Sequence, residues 1–226
     1  VIDSVAKTAR LAGVQVVTGD TKVVERGKGD CIYINTAGVG TLRTPGLSRS
    51  AIREGDAVLL SGSAGCHGAA VLMARGEIPC EGTLLSDCAP LRALSAAALD
   101  AGGVRILRDP TRGGVATTLN EFVEGGSLTI DLEEDAIPVD PPVAAACELL
   151  GIDPLYAACE GRMLAIVAPE SADAVLAAMR AVPGGEGAAR IGRVGSARPG
   201  QVVLHTALGG SRILGKLTGM QLPRIC

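Results

Sequence analysis

The stretch RDPTRGGVATTLNE, residues 108–121, indicates the fold class. The apolar segment VRILRD (104–109) predicts a strand that runs into it, and GVATTLNEFV (114–123) predicts a helix that follows its glycine pair. Backbone N–H groups at the start of a helix attract anions, and Arg112 adds donors suited to phosphate or carboxylate. The stretch is compatible with an anion-binding loop and equally with an ordinary capped turn. It is not a Walker A loop, because GxxxxGK[ST] is absent.

Helices and strands alternate on both sides of this stretch, which predicts an α/β or α+β domain over about residues 46–220. Strands are predicted at 56–62, 104–109, 127–132, 162–168, 188–194 and 201–206. Helices are predicted at 67–75, 86–103 (with Ser86 as N-cap), 114–123, 141–151 and 171–182.

The first 45 residues predict a smaller, incomplete unit. Residues 2–12 have helical spacing and end at Gly13, and short strands are predicted at 14–17 and 31–35. One helix and two or three strands bury too little apolar surface for a core, so we expect the tail of a domain that begins outside this chain. The polar segment 44–56 is predicted to be a linker.

Composition narrows the function classes. Of the 226 residues 47% are apolar, with one Phe, two Tyr and no Trp, so we expect an aliphatic core. A net charge of −3 with both signs interspersed, together with so few aromatics, argues against a nucleic-acid partner. No apolar stretch approaches the roughly 20 residues of a membrane span. Seven cysteines without a CxxC pair favour reduced thiols, and with no visible signal peptide we expect a cytoplasmic protein.

Three further segments carry residues that can do chemistry. In TGDTKVV (18–24), Asp20 and Lys22 are two apart and would share one face of a strand. They would form either a surface salt bridge or a Mg²⁺ or phosphate ligand beside a catalytic lysine. Glu160 in ACEGRMLAIV precedes an apolar strand and is either solvated or functional. The terminal Cys226 of GMQLPRIC is either accidental or a used nucleophile.

Together these stretches resemble the HypE family of hydrogenase-maturation proteins. The motifs TGDTKVVERGKGD, INTAGVG, SGSAGCHG, SDCAPL, RDPTRGGVATTLNE, EGRMLAIV, IGRV and LPRIC occur in the family's order from residue 1 to Cys226. HypE belongs to the superfamily of aminoimidazole ribonucleotide synthetase (PurM) and selenophosphate synthetase, and the LPRIC ending is specific to HypE. The chain departs from the family in Cys66 and Cys159, where Asp and Asn are typical, and in the missing N-terminal part.

The resemblance implies a PurM-like two-domain architecture. Residues 1–45 would be the remnant of the first, ATP-binding and dimerising domain, 46–220 the second domain, and 221–226 a flexible tail. ATP with Mg²⁺ would lie between the domains of a homodimer. The carbamoyltransferase HypF would load the terminal cysteine, ATP-dependent dehydration would give a thiocyanate, and the cyano group would pass to iron on the HypC–HypD scaffold.

The resemblance also implies residue roles. Cys226 would carry the carbamoyl group and Glu160 would be the base. Lys22 would orient the carboxamide or stabilise charge on the transferring phosphoryl group. Asp20 would bind Mg²⁺. Further nucleotide contacts are expected from Thr21 and from the loop residues Asp109, Thr111, Arg112, Gly113 and Gly114. The alternatives are another ATP-using member of the superfamily, such as a small-molecule kinase or selenophosphate synthetase, or a catalytically impaired carrier or scaffold that only presents its thiol. We also expect this chain to bind ATP poorly, because much of the family's nucleotide site would lie upstream of Val1.

Overall fold

The computed structural model describes residues 1–29, 31–76 and 84–218. The chain forms two compact units, Val1–Pro45 and Gly46–Cys226, and each is described by itself. In the first, helix α1 covers Ile2–Ala12, as the sequence predicts. It ends because Gly13 takes the left-handed conformation (φ 65°) and its N–H caps the last turn.

The strands predicted at 14–17 and 31–35 are wrong, since neither segment forms a strand. A strand needs a neighbour to pair its N–H and C=O groups, and no other strand occurs among the described residues of this unit. Apolar side chains such as Val17 and Tyr33 are exposed instead. Apolar alternation alone was therefore insufficient to produce β structure.

The second unit is built on one seven-stranded sheet in the order β2-β4-β1-β5-β3-β6-β7. All neighbouring strands are antiparallel except β3 and β6, which are parallel. The strands are β1 (Ala57–Leu60), β2 (Val104–Arg108), β3 (Thr129–Glu133), β4 (Leu164–Val167), β5 (Ala189–Gly195), β6 (Val202–His205) and β7 (Ser211–Leu214). The mixed sheet confirms the α+β form of the predicted fold class.

Helices cover both faces of this sheet. They are α2 (Cys66–Ala74), α3 (Arg92–Ala101), α4 (Gly114–Val123), α5 (Pro141–Leu150) and α6 (Ala172–Arg180). Strand β1 shows the arrangement, because its alternate side chains enter different cores. Val58 and Leu60 join the core that includes α4, while Ala57 and Leu59 join the one formed with α3 and α6. Cys66 and Cys147 belong to a third cluster, between α2 and α5.

Two predictions for this unit need correction. The helix predicted over 86–103 begins only at Arg92, and Ser86 is not its N-cap. A helix that started at Ser86 would place Pro90 where a backbone N–H is required. The predicted linker 44–56 is packed from Ser48 onward, where the Ser48 N–H donates to the Arg105 carbonyl oxygen. Strand β7 was not predicted at all.

Among the residues described, no helix is both long and apolar enough to cross a bilayer.

Candidate functional site

Four loops meet at one end of the sheet. The last residue of β1, Leu60, and the last residue of β2, Arg108, both pair with Leu164, the first residue of β4. The loop after β1 (61–65), the loop after β2 (109–113) and the turn before β4 (157–163) therefore leave the sheet at the same end. The segment before α3 (84–91) joins them through the bonds described below. We call this region the loop cluster.

The DPTRGG loop adopts the predicted strand–turn–helix geometry. Gly113 is the N-cap of α4 in the left-handed conformation, and Gly114, the first helical residue, has φ 62°. A Cβ on Gly114 would lie 2.4 Å from the carbonyl oxygen of Leu155, so only glycine fits there. Both glycines are buried, Thr111 is half-buried, and Asp109 and Arg112 are exposed. The start of α4 thus contacts the chain's own 155–157 segment.

Cys159 joins three of these loops. Its N–H donates to the Pro110 carbonyl oxygen at 3.0 Å, and its Sγ accepts the Gly65 N–H at 3.2 Å. The residue is fully buried, and this burial raises the pKa of its thiol to about 12. At neutral pH the thiol is therefore protonated, and its role in the fold is that of a hydrogen-bonding core group.

Cys66 has a similar environment at the first turn of α2. Its Sγ donates to the Leu85 carbonyl oxygen at 3.2 Å, and burial, followed by the nearby negative charge of Asp87, raises the pKa of its thiol. The bond ties the 84–91 segment to α2. Cys66 and Cys159 thus occupy the loop cluster as neutral thiols.

Asp87 and Arg162 place a buried ion pair beneath the turn that carries Glu160. Asp87 Oδ1 accepts the backbone N–H of Glu160 at 3.0 Å, while Asp87 Oδ2 lies 3.6 Å from Arg162 Nε. The Asp87 side chain is 1% exposed, whereas Glu160 is half-buried. The buried Asp87 carboxylate thus fixes the backbone of the turn, and Glu160 is partly exposed.

A histidine, a serine and a cysteine lie together on the surface of the loop cluster. His67 Nδ1 is 2.8 Å from Ser86 Oγ and 3.7 Å from Cys88 Sγ. Ser86 Oγ also accepts the Cys88 N–H at 3.0 Å, so its hydroxyl organises the 86–88 turn and not the start of a helix.

The remaining predicted site residues belong to the first unit or to the C-terminal end of the chain. Asp20, Thr21 and Lys22 are exposed residues of the first unit, and Asp20 Oδ1 accepts the Thr21 N–H at 2.8 Å. Cys226 lies outside the described residues. Over residues 1–29, 31–76 and 84–218, no group of three or more His, Cys, Asp or Glu side chains is arranged to hold a metal ion. A single carboxylate such as Asp20 fits Mg²⁺ only in the way that ion binds with nucleotide phosphates, through one or two carboxylates and several waters.

Sequence reasoning missed Asp87 and Arg162 as parts of the site. Both stand in quoted motifs, SDCAPL and EGRMLAIV, yet 75 positions separate them and no spacing rule connects them. The sequence offered one weak signal. Each of these charged residues adjoins small or apolar residues, and a charge that becomes buried among such residues requires a partner.

The fold and the loop cluster define a class of protein. Residues 53–205 match the family described as AIR synthase related protein, C-terminal domain. A thiamine-monophosphate kinase from Stenotrophomonas maltophilia shares the fold at 22% identity and TM-score 0.52. The predicted PurM-like fold is thereby confirmed.

The chain belongs to the HypE family within this class. It is 52% identical to "Carbamoyl dehydratase HypE" of Bradyrhizobium diazoefficiens, a match that covers all of this chain and 66% of that protein. It is equally 52% identical to the protein of that name from Cupriavidus necator, of which it covers 65%. The chain thus spans about two-thirds of the length of these relatives, and the predicted resemblance to HypE is confirmed.

Solved HypE structures agree with this assignment. The crystal structure of Escherichia coli HypE matches all of this chain with TM-score 0.93 at 43% identity, and the chain covers 70% of it. A HypE structure in complex with ATP matches with TM-score 0.87 at 43% identity, with 69% of it covered. A HypE–HypF complex matches 96% of this chain with TM-score 0.90 at 40% identity, with 71% of it covered.

Proposed function

We propose that this chain supplies the second domain and the carrier cysteine of an ATP-dependent carbamoyl dehydratase that serves [NiFe]-hydrogenase maturation. Its substrate is an S-carboxamide on Cys226, and its product is a thiocyanate that donates the cyanide ligand of the active-site iron. The observation that carries the proposal is Glu160, a partly exposed residue on a turn anchored by Asp87 within a family whose relatives are named carbamoyl dehydratases.

Dehydration of a carboxamide requires a base. The carboxamide oxygen must become a leaving group, which phosphorylation by ATP achieves, and two protons must leave the nitrogen. Glu160 is half-buried and its backbone is held at the loop cluster, so its carboxylate is suited to accept one proton when the oxygen is phosphorylated. After releasing that proton to solvent, it would accept the second as phosphate leaves. Lys22 would orient the carboxamide or stabilise charge on the transferring phosphoryl group.

Nucleotide contacts are assigned by residue chemistry. The residues expected to approach the phosphates are Asp109, Thr111, Arg112 and the glycine pair 113–114. Arg112 offers a fork of donors and directly precedes the N-cap of α4, where the helix dipole favours an anion. Asp20 and Thr21 would contact the nucleotide from the first unit. Asp20 would hold Mg²⁺, which offsets phosphate charge when it is bound.

The partners follow from the same scheme. HypF would load Cys226, and the HypC–HypD scaffold would receive the cyano group. We further propose a homodimer, a cytoplasmic location, and an assignment of Val1–Pro45 to the family's first domain, of residues 46–220 to its second and of 221–226 to a carrier tail. The HypE–HypF complex among the relatives supports the first of these partners.

The test separates loading from dehydration. We use a chimaera in which this chain replaces the matching part of the B. diazoefficiens relative, and we supply HypF, carbamoyl phosphate and ATP. Glu160→Gln removes the base with little change of shape, and Lys22→Ala removes the cation. Both variants should be carbamoylated on Cys226 and then stall, at a rate about 10²–10⁴-fold below that of the parent.

Intact and peptide mass spectrometry distinguishes the two states, because dehydration removes one water from the modified peptide. Glu170→Gln is the matched control, since Glu170 is an exposed glutamate at the turn before α6, away from the loop cluster. It should form thiocyanate at the parent rate. Thiocyanate formation by Glu160→Gln at that rate would contradict the assignment of the base, and loss of loading would indicate a structural role.

A further inference from the structure

The turn that carries Glu160 is fixed by a carboxylate that belongs to a distant loop. Asp87 Oδ1 accepts the Glu160 N–H at 3.0 Å, and Asp87 is separated from Glu160 by 73 positions in the chain. At Gly161, a Cβ would lie 1.7 Å from the Asp87 carbonyl oxygen. The two segments are therefore in direct backbone contact, and a shift of the 84–91 segment would move the Glu160 turn with it.

The hydrogen bond that Asp87 accepts from the Glu160 N–H has better geometry than the ion pair between Asp87 and Arg162. Asp87 Oδ2 and Arg162 Nε are 3.6 Å apart, beyond hydrogen-bond distance, and both atoms are buried with no hydrogen-bond partner among the described residues. Arg162 is itself held elsewhere, because its Nη1 donates to the Gly184 carbonyl oxygen at 3.2 Å. Asp87 thus makes its well-formed bond to the Glu160 backbone, and Arg162 supplies the opposite charge that a buried carboxylate needs.

We propose that Asp87, with its charge balanced by Arg162, is the positioning residue that holds the carboxylate of Glu160 in place for proton transfer. This inference rests on the proposed role of Glu160 as base. Asp87 is buried and touches no reacting atom, so it acts only through the backbone of the turn. Precise placement matters because a displacement of about 1 Å at a reacting group costs on the order of 10²-fold in rate.

The chain offers a control in a second buried aspartate that faces an arginine. Asp56 Oδ2 accepts the Arg53 N–H at 2.7 Å and lies 3.4 Å from Arg105 Nε, and its side chain is also 1% exposed. It directly precedes β1, whereas the loop cluster follows the end of β1. The two carboxylates therefore match in side-chain burial, and each accepts one backbone N–H and faces one arginine. The backbone bond of Asp56 spans only three positions, and Asp56 lies at the opposite end of β1 from the loop cluster.

The experiment compares Asp87→Ala, Asp87→Asn and Asp56→Ala in the chimaera, with rates expressed per folded molecule. Asp87→Ala should lower the dehydration rate on the order of 10²-fold while loading of Cys226 and the KM for ATP stay at parent values. Asp87→Asn keeps an oxygen that accepts the Glu160 N–H and should recover most of the rate. Asp56→Ala should lose stability but keep the rate.

Two additional measurements keep the inference testable if Asp87→Ala folds poorly. In Asp87→Ala/Arg162→Met the unpaired charge is removed, and the same loss of rate is expected. Hydrogen exchange of the Glu160 amide, followed by NMR in the full chain, should accelerate in Asp87→Ala and not in Asp56→Ala, independently of activity.

The outcomes distinguish this inference from the proposed function. A parent rate in Asp87→Ala, an equal loss of rate in Asp56→Ala, or unchanged exchange at Glu160 overturns the positioning role, even where Glu160→Gln is defective. A parent rate in Glu160→Gln instead overturns the base assignment and the inference with it.

Discussion

The backbone N–H of Cys159 donates to the carbonyl oxygen of Pro110 across 3.0 Å. This bond joins the turn that carries Glu160 to the DPTRGG loop. It lies between the loops that adjoin β2 and β4, which are neighbouring strands whose ends meet at the loop cluster. The proposed base and the proposed phosphate loop thereby belong to neighbouring loops that a backbone hydrogen bond joins within the second unit.

The first prediction concerns Gly114. Its φ of 62° alone costs a non-glycine residue about 1–2 kcal/mol, and a Cβ would also collide with the carbonyl oxygens of Leu155 and Ala157. Gly114→Ala should therefore destabilise the chain by clearly more than that amount. Gly151→Ala is the matched control, because Gly151 has φ 63° and a Cβ added there would meet nothing within 4 Å. Urea unfolding measures both; equal losses would show that the collision is relieved without cost.

The second prediction concerns alkaline pH. Burial raises the pKa of the Cys159 thiol to about 12 and that of the Cys147 thiol to about 11, from 9.0. Above pH 9 the unfolded chain releases these protons while the native state keeps them. The stabilisation is therefore fully present below pH 9, and falls between pH 9 and 11–12 by roughly 1 kcal/mol per pH unit for each thiol.

Urea unfolding between pH 8 and 10.5 measures this slope. Cys147→Ala and Cys159→Ala should each reduce it relative to their own stability at pH 8. Cys88→Ala is the control, because Cys88 is exposed, and its slope should equal that of the parent. Parent-like slopes in both buried-site variants would contradict the prediction.

The sequence predicted an element correctly where residues within that element determine its structure, and less well where pairing with distant residues determines it. Helix α4 occupies the predicted residues 114–123, because Gly113 and Gly114 set its start through their own backbone conformation. Strand β7 (Ser211–Leu214) was missed because three of its four side chains are exposed and its formation depends on pairing with β6. The late start of α3 depends on Pro90, whose effect the apolar spacing alone does not reveal.

The site shows the same limit. Glu160 before a buried strand and the glycine pair of DPTRGG were recognisable as separate local motifs. Their connection through Cys159 and Asp87 was not, since those bonds cross 49 and 73 positions and arise only when β1, β2 and β4 pair. Which residue forms a hydrogen bond with a buried group such as Asp87 is decided by the tertiary structure and not by the local sequence.

The third prediction concerns thiol accessibility. Among the described cysteines Cys31 and Cys88 are exposed, and Cys66, Cys147 and Cys159 are buried. Iodoacetamide at neutral pH should label the two exposed thiols in the native chain and reach the other three only in urea, because alkylation requires an accessible thiolate. Peptide mapping by mass spectrometry reads the sites; rapid native labelling of Cys159 would contradict its packing against Gly65.

The fourth prediction concerns the residue that accepts the carbamoyl group. If Cys226 is the carrier, HypF with carbamoyl phosphate and ATP should modify that residue alone in the chimaera, and Cys226→Ser should abolish modification. Cys88→Ser is the matched control: Cys88 is an exposed thiol 3.7 Å from His67 Nδ1, so it is the described cysteine best placed to compete as a nucleophile. Its substitution should leave loading unchanged. Peptide mapping decides between the two, because the carbamoyl group adds the same mass to either thiol but on different peptides. Carbamoylation of Cys88 with Cys226 untouched would contradict the carrier role, and with it the proposed path of the cyano group.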